Sequence, residues 1–294
     1  FQAEDGIRDR SPSRGLGDVY KRQIRSLYLR NFGVNMENQT VLYEQSGNIV
    51  TITYNRPNKQ NAINGQMRKE LNDAWDKFSE DETAWVAILT GSGTTFCGGA
   101  DLRDPSGSTG DFKGTFWEKP TINSFESGKE IYKPVIAAVN GPCVGYGLTA
   151  VTFCDFVIAS DESTFSYPEV TIGIPTIVGA IRLPKKLNWS DAMEFLLLGE
   201  PITAERAHEM GFVWKVCSSD ELIKEANNLA ARLCLSAPLA VRATKEVATR
   251  TQNMGWIEAV RFGETMRIVA NQTEDATEGR TAFKEKRKPK WKGN

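Results

Sequence analysis

Apolar and polar residues alternate with period two at Val41 to Tyr43 and again at Ile49 to Tyr54, on either side of Ser46-Gly47-Asn48. Successive side chains of a strand face opposite sides, so this pattern predicts a β-hairpin. Asn55-Arg56-Pro57 ends the second strand, since proline cannot continue a central ladder. Met67, Leu71, Ala74 and Phe78 then recur at helical spacing and predict an amphipathic helix. Trp85 to Thr90 is a short apolar strand turned by Gly91-Ser92-Gly93. The pattern repeats with a strand at Val135 to Val139, a helix entered from Gly145, and a strand at Phe156 to Ser160. Strand, turn and helix in alternation predict an α/β fold.

Beyond Pro184 the strand signals stop. Helical stretches run from about Ser190 to Leu198, Thr203 to Met210, Ser219 to Leu235, Pro238 to Thr251 and Trp256 to Asn271. Ser190-Asp191 and Ser218-Ser219-Asp220 suit N-caps, while Gly199 and Gly211 sit where helices stop. Several of these helices carry more apolar surface than a short bundle can bury.

Composition narrows the function classes. With 294 residues, 40% of them hydrophobic, the chain supports one large core with an appended subdomain. Thirty-six basic residues against 37 acidic ones give a net charge of -1, which offers no general attraction for nucleic acid or an anionic membrane. The sequence holds no apolar stretch long enough for a transmembrane helix. Five cysteines, Cys97, Cys143, Cys154, Cys217 and Cys234, show no Cys-x-x-Cys spacing and read as free thiols in a reducing cytoplasm. Residues 1 to 23 lack apolar periodicity and mix charge with Gly, Ser and Pro; they read as translated adapter sequence. An Arg-rich transit peptide is opposed by Glu4, Asp5, Asp9 and Asp18. Residues 1–35 are therefore expected to be a non-native or disordered tail, with Met36 as the native start.

The candidate chemistry lies between Lys133 and Val170. The strand Val135 to Val139 feeds a turn containing Gly141, Gly145 and Gly147, and the chain enters a helix through Leu148 to Phe153. Such a turn aims unpaired backbone N–H groups at whatever lies before the helix. Together with Phe96-Cys97-Gly98-Gly99-Ala100-Asp101-Leu102, the run resembles the crotonase superfamily, the enoyl-CoA hydratase/isomerase family. The resemblance extends at lower density from about Val41 to the C-terminus.

The resemblance implies a spiral of ββα turns at 36–184 and a C-terminal helical region at 185–294 that assembles trimers, paired as hexamers. It implies an acyl-CoA thioester substrate, with coenzyme A carried as part of that substrate and no separate cofactor or metal. The enolate donors would be the amides of Ala100, in Gly99-Ala100-Asp101, and Tyr146, in Gly145-Tyr146-Gly147. Gly98 and Arg103 match positions that recognise adenine, and Phe283 and Lys286 positions that reach a neighbouring subunit's coenzyme A. A solvated tail is the plain reading of the basic run around those last two. Hydratases of the family hold water between two glutamates twenty residues apart. Here those places are Thr149 and Glu169, and a threonine hydroxyl is no general base near neutrality. Glu169 alone suffices for double-bond isomerisation. Hydration would need Thr149, Tyr167 or an acid between Asp104 and Glu126 to position water. Gly173 to Gly179 is also one residue shorter and poorer in glycine than the hydratase pattern.

Two other readings remain open at this point. Gly145-Tyr146-Gly147-Leu148-Thr149-Ala150 satisfies G-x-G-x-x-A, so a nicotinamide dehydrogenase competes, although five residues after Val139 make a long first turn. A catalytically silent acyl-CoA binder is the other. His208 is the only histidine, which argues against a Ser-His-Asp triad or a His-rich metal site.

Overall fold

The computed structural model describes residues 39–104 and 124–294. The expected tail at 1–35, Met36 and most of the segment from Asp104 to Glu126 lie outside the described residues. Thr40–Asn294 form one compact unit.

In chain order the strands are β1 (Val41–Ser46), β2 (Ile49–Tyr54), β3 (Val86–Gly91), β4 (Val135–Val139), β5 (Cys143–Val144), β6 (Phe156–Ser160), β7 (Thr164–Ser166), β8 (Ile202–Thr203) and β9 (Lys215–Cys217). The helices are α1 (Gly65–Glu80), α2 (Tyr146–Thr152), α3 (Val178–Lys186), α4 (Trp189–Leu197), α5 (Ala204–Glu209), α6 (Leu222–Leu233), α7 (Pro238–Arg250), α8 (Trp256–Asn271) and α9 (Glu274–Glu285). The predicted hairpin is present, with Ser46 opposite Ile49.

Six strands form a sheet in the order β1-β2-β3-β4-β6-β9, parallel except for the hairpin. Its central strands are apolar throughout because both faces are covered. Ala87, Leu89, Ala137 and Val139 share one core with Met67, Leu71, Trp75 and Phe78 of α1. Val86, Ile88, Ile136, Ala138 and Ile158 pack on Leu222, Ala226, Leu229 and Ala230 of α6. Helix α1 starts where it does because the Asn64 side chain accepts the Met67 N–H at 3.0 Å.

A second row of short pairings runs beside this sheet. Ile63 bridges Ala100 and Cys97 bridges Cys143; Cys143 pairs with Phe165, and Phe165 with Ile202. Successive turns of chain therefore contribute one strand to the large sheet and one short pairing to the second row, several of them followed by a helix. Unit β4–β5–α2 is the clearest case, and the arrangement is the ββα spiral that the resemblance implied.

Strands do occur beyond Pro184, contrary to the pattern reading: β8 and β9 are two and three residues long, too short to show alternation. Helix α4 is preceded by Asn188, not Ser190-Asp191, and α6 by Glu221, not Ser218 to Asp220. Gly199 and Gly211 do follow helices with left-handed backbone. Helix α3 was not anticipated because Pro184 lies inside its last turn. Nor was α9, after which the basic run folds back on the helix while its lysines stay solvated. Arg287 pairs with Glu278, Lys292 with Glu274, and the Trp291 indole N–H donates to the Leu235 carbonyl at 2.8 Å.

Candidate active site

The second row determines what comes together. Val144 N–H donates to the Cys97 carbonyl at 2.8 Å and Gly145 N–H to the Ser166 carbonyl at 2.9 Å. Consecutive turns thereby set Gly99-Ala100, Gly145-Tyr146 and Tyr167 to Glu169 side by side. The bridge at Ile63 uses the amides of Ile63 and Asp101, so the Ala100 N–H takes no part in it. Tyr146 is the first residue of α2, where helix amides lack intrahelical partners. A Cβ built on Gly99 would stand 3.9 Å from the Tyr146 nitrogen, so the two candidate donors are neighbours.

The loop carrying Ala100 is braced by residues the sequence did not single out. Nη1 and Nη2 of Arg56 each lie 3.1 Å from Oδ2 of Asp101. The wholly buried Asn61 amide donates to the carbonyls of Ser92, Thr95 and Phe96. Arg56 and Asp101 are 45 positions apart, and no local pattern signals the pairing.

Glu169 lies in the 3₁₀ turn Pro168–Ile172. A Cβ on Gly145 would fall 2.4 Å from Glu169 Oε1, so the carboxylate rests on the Gly145 α-carbon beside both donors. Its Oε2 is buried and makes no hydrogen bond of ordinary geometry among the described residues, although the Thr176 hydroxyl is near enough to favour the charged form slightly. Burial pushes this carboxyl above its ordinary range, because a charge removed from water is disfavoured.

Thr149 is buried, and its hydroxyl lies 3.1 Å from that of Tyr167. Tyr167 is fully buried, which raises its phenol far above the usual value. Its ring packs on Gly179, where a Cβ would come within 2.5 Å of Tyr167 Oη. Two hydroxyls weighed separately as water ligands thus form one pair. The Tyr146 hydroxyl donates to Glu126, a buried carboxyl raised chiefly by desolvation. Arg68 of α1 stacks on the same ring, its Cζ 4.9 Å from the centroid.

The remaining candidates are less concentrated. The Gly98 N–H donates to the Gln60 carbonyl at 2.8 Å. Arg103 is exposed, with its backbone N–H on Asp101 Oδ1 at 3.2 Å. Phe283 is 86% exposed and lines a groove of about 890 Å³ with Val247, Met266, Ala270 and Trp291; Lys286 follows at the left-handed end of α9. The structure does not gather these two with Glu169. The dinucleotide reading weakens, because β5 intervenes between β4 and the glycines and Glu169 stands in a 3₁₀ turn, not at a strand end. His208 is an exposed residue of α5, as expected.

A mixed α/β spiral whose successive turns converge two backbone amides on a single carboxyl is a crotonase-type arrangement. Solved structures share the fold. An enoyl-CoA hydratase/isomerase from Mycobacterium paratuberculosis matches with a TM-score of 0.77 at 37% identity, covering 87% of this chain and 99% of that one. An enoyl-CoA hydratase from Mycobacterium tuberculosis matches at 0.78 and 34% over 87% and 99%. Among curated relatives, a carnitinyl-CoA dehydratase of Salmonella arizonae is 36% identical over 256 residues, 85% of this chain and 97% of the relative. The profile described as enoyl-CoA hydratase/isomerase matches residues 44–294. The chain belongs to the enoyl-CoA hydratase/isomerase family.

Proposed function

We propose that the protein transfers a proton through a thioester enolate of an enoyl-CoA, held by the N–H groups of Ala100 and Tyr146 and formed by Glu169. The observation that carries this reading is the Glu169 carboxylate lying against Gly145, next to both amides, with one oxygen making no hydrogen bond of ordinary geometry among the described residues. Preorganised donors at a developing oxyanion are typically the largest catalytic term, each worth roughly 3 to 4 kcal/mol. Glu169 takes a proton beside the carbonyl and returns it at another carbon. Thr149 stands where hydratases carry their first glutamate, and one titratable group completes a double-bond shift without water. Coenzyme A arrives as part of the substrate. Gly98, Gly99 and Arg103 are proposed to face its adenine end, with Phe283 and Lys286 contributed across a subunit boundary.

Hydration is the second reading, favoured by the relatives' names and by the hydroxyl pair of Thr149 and Tyr167. Incubation with 2-enoyl-CoA and 3-enoyl-CoA in H₂¹⁸O, read by mass spectrometry, separates the two: an unlabelled shift means isomerisation, and incorporated label means hydration. Thr149→Val sharpens the choice. Loss of its one hydrogen bond is expected to cost about 1 kcal/mol of stability and to leave the double-bond shift within a few-fold. A collapse of label incorporation in this variant would instead place the hydroxyl on the attacking water.

Assembly follows from the helices that the core leaves uncovered. Helix α8 has no buried residue, and Trp256, Ile257, Val260, Ile268 and Val269 are exposed, an apolar surface that calls for a partner. Sedimentation equilibrium is expected to give three or six copies; a monomer at micromolar concentration would refute this. No helix among the described residues is long and apolar enough to cross a membrane.

A further inference from the structure

The ring of Tyr146 brings the candidate site into contact with a group that the proposed chemistry does not use. Nε and Nη2 of Arg68 are both buried and have no hydrogen-bond partner among the described residues. A guanidinium stays charged and has only donors to offer, and burying such donors unpaired is costly unless an acceptor completes them. Asn72 follows four residues later on the same helical face, and its buried Oδ1, an acceptor that offers nothing to an anion, is not paired with the guanidinium either. Glu126 does not fill the gap. It accepts the Tyr146 hydroxyl proton, and no ion pair joins it to Arg68, although the guanidinium charge is felt at its carboxyl.

The position of these idle atoms is informative. Tyr146 offers its main-chain amide to the thioester oxygen and its ring to Arg68, with Cζ 4.9 Å from the centroid. On the acyl-CoA reading, an acyl chain that left the thioester and followed that ring would reach the unpartnered guanidinium. Arginine matches a carboxylate with paired, charge-assisted hydrogen bonds. We propose that Arg68 is a subsite for a carboxylate carried on the acyl group, so that the favoured substrates are coenzyme A monothioesters of unsaturated dicarboxylic acids. This specificity rests on the acyl-CoA reading above.

Binding of saturated, unreactive thioesters tests it without any turnover. Titration calorimetry would compare glutaryl-CoA with pentanoyl-CoA, ligands of equal chain length that differ in the terminal carboxylate. The wild type is expected to prefer glutaryl-CoA by about 10-fold or more, the scale of a hydrogen bond to a charged group. Arg68→Gln should erase that preference while leaving pentanoyl-CoA within about two-fold, and Arg68→Lys should restore part of it, since an ammonium keeps the charge but not the fork. Retained pentanoyl-CoA binding reports that the variants fold. Equal affinities in the wild type would overturn the subsite and leave the acyl-CoA reading standing. Parallel loss of both ligands in Arg68→Gln would mean that Arg68 only supports Tyr146. Failure of the wild type to bind either thioester would remove the acyl-CoA reading, and the subsite with it.

Discussion

Glu169→Gln is expected to lower turnover of an enoyl-CoA by about 10²- to 10⁴-fold, the usual contribution of a positioned general base, while acyl-CoA binding persists. The amide keeps the shape against Gly145 but cannot take a proton. The pH profile offers an independent check. Burial raises the folded-state pKa of this carboxyl, and the base works only when ionised. The acid limb of kcat/KM should therefore sit above the ordinary glutamate value of about 4.3, with activity lost as pH falls through the raised value. Stability runs the opposite way. Between the unfolded and the raised folded pKa the native state binds more protons than the unfolded chain, so stability declines as pH rises across that window. Glu169→Gln lacks this decline, and its melting temperature at neutral pH should equal or exceed that of the wild type. An active Gln variant would sink the assignment. A variant both inactive and markedly less stable would point to a structural carboxyl instead.

The elements read from the chain are those with enough length to show a period. Helix α1 places Met67, Leu71, Ala74 and Phe78 in the core as their spacing requires, and β4 and β6 have the predicted bounds. Strands β5, β7 and β8 are two or three residues long; their pairing is decided by neighbouring turns of the spiral, not by their own residues. The same division applies to the site. Gly99, Gly145 and Glu169 were singled out through the resemblance, and for the two glycines a positive φ restricts what can occupy such turns. Arg56 with Asp101, Arg68 with Tyr146, and Tyr146 with Glu126 were not, since each pairing joins separate turns of the spiral and leaves no local mark. Thr149 and Tyr167 were each visible, but only the fold shows that their hydroxyls meet.

Gly145→Ala tests the convergence itself. At this position φ is +51° and ψ -110°, a combination that side chains of L-residues resist, at a cost of order 1–3 kcal/mol. The new methyl would also fall 2.4 Å from Glu169 Oε1 and 3.2 Å from its carboxyl carbon. Something must move, and the carboxylate on its short 3₁₀ turn is easier to displace than α2, whose residues from Gly147 to Thr152 are all buried. The substitution is therefore expected to push the base away from the substrate while α2 holds its place. Catalysis should fall about 10²-fold or more, the usual contribution of a positioned general base. Thermal stability should fall as well, in contrast to Glu169→Gln. Combining the two substitutions separates strain from chemistry. Because both act on one carboxylate, the double variant should be scarcely less active than Glu169→Gln, a strongly non-additive result. Fully additive losses would show that Gly145 acts on catalysis by a route independent of Glu169, and the common point of the two turns would no longer explain the site.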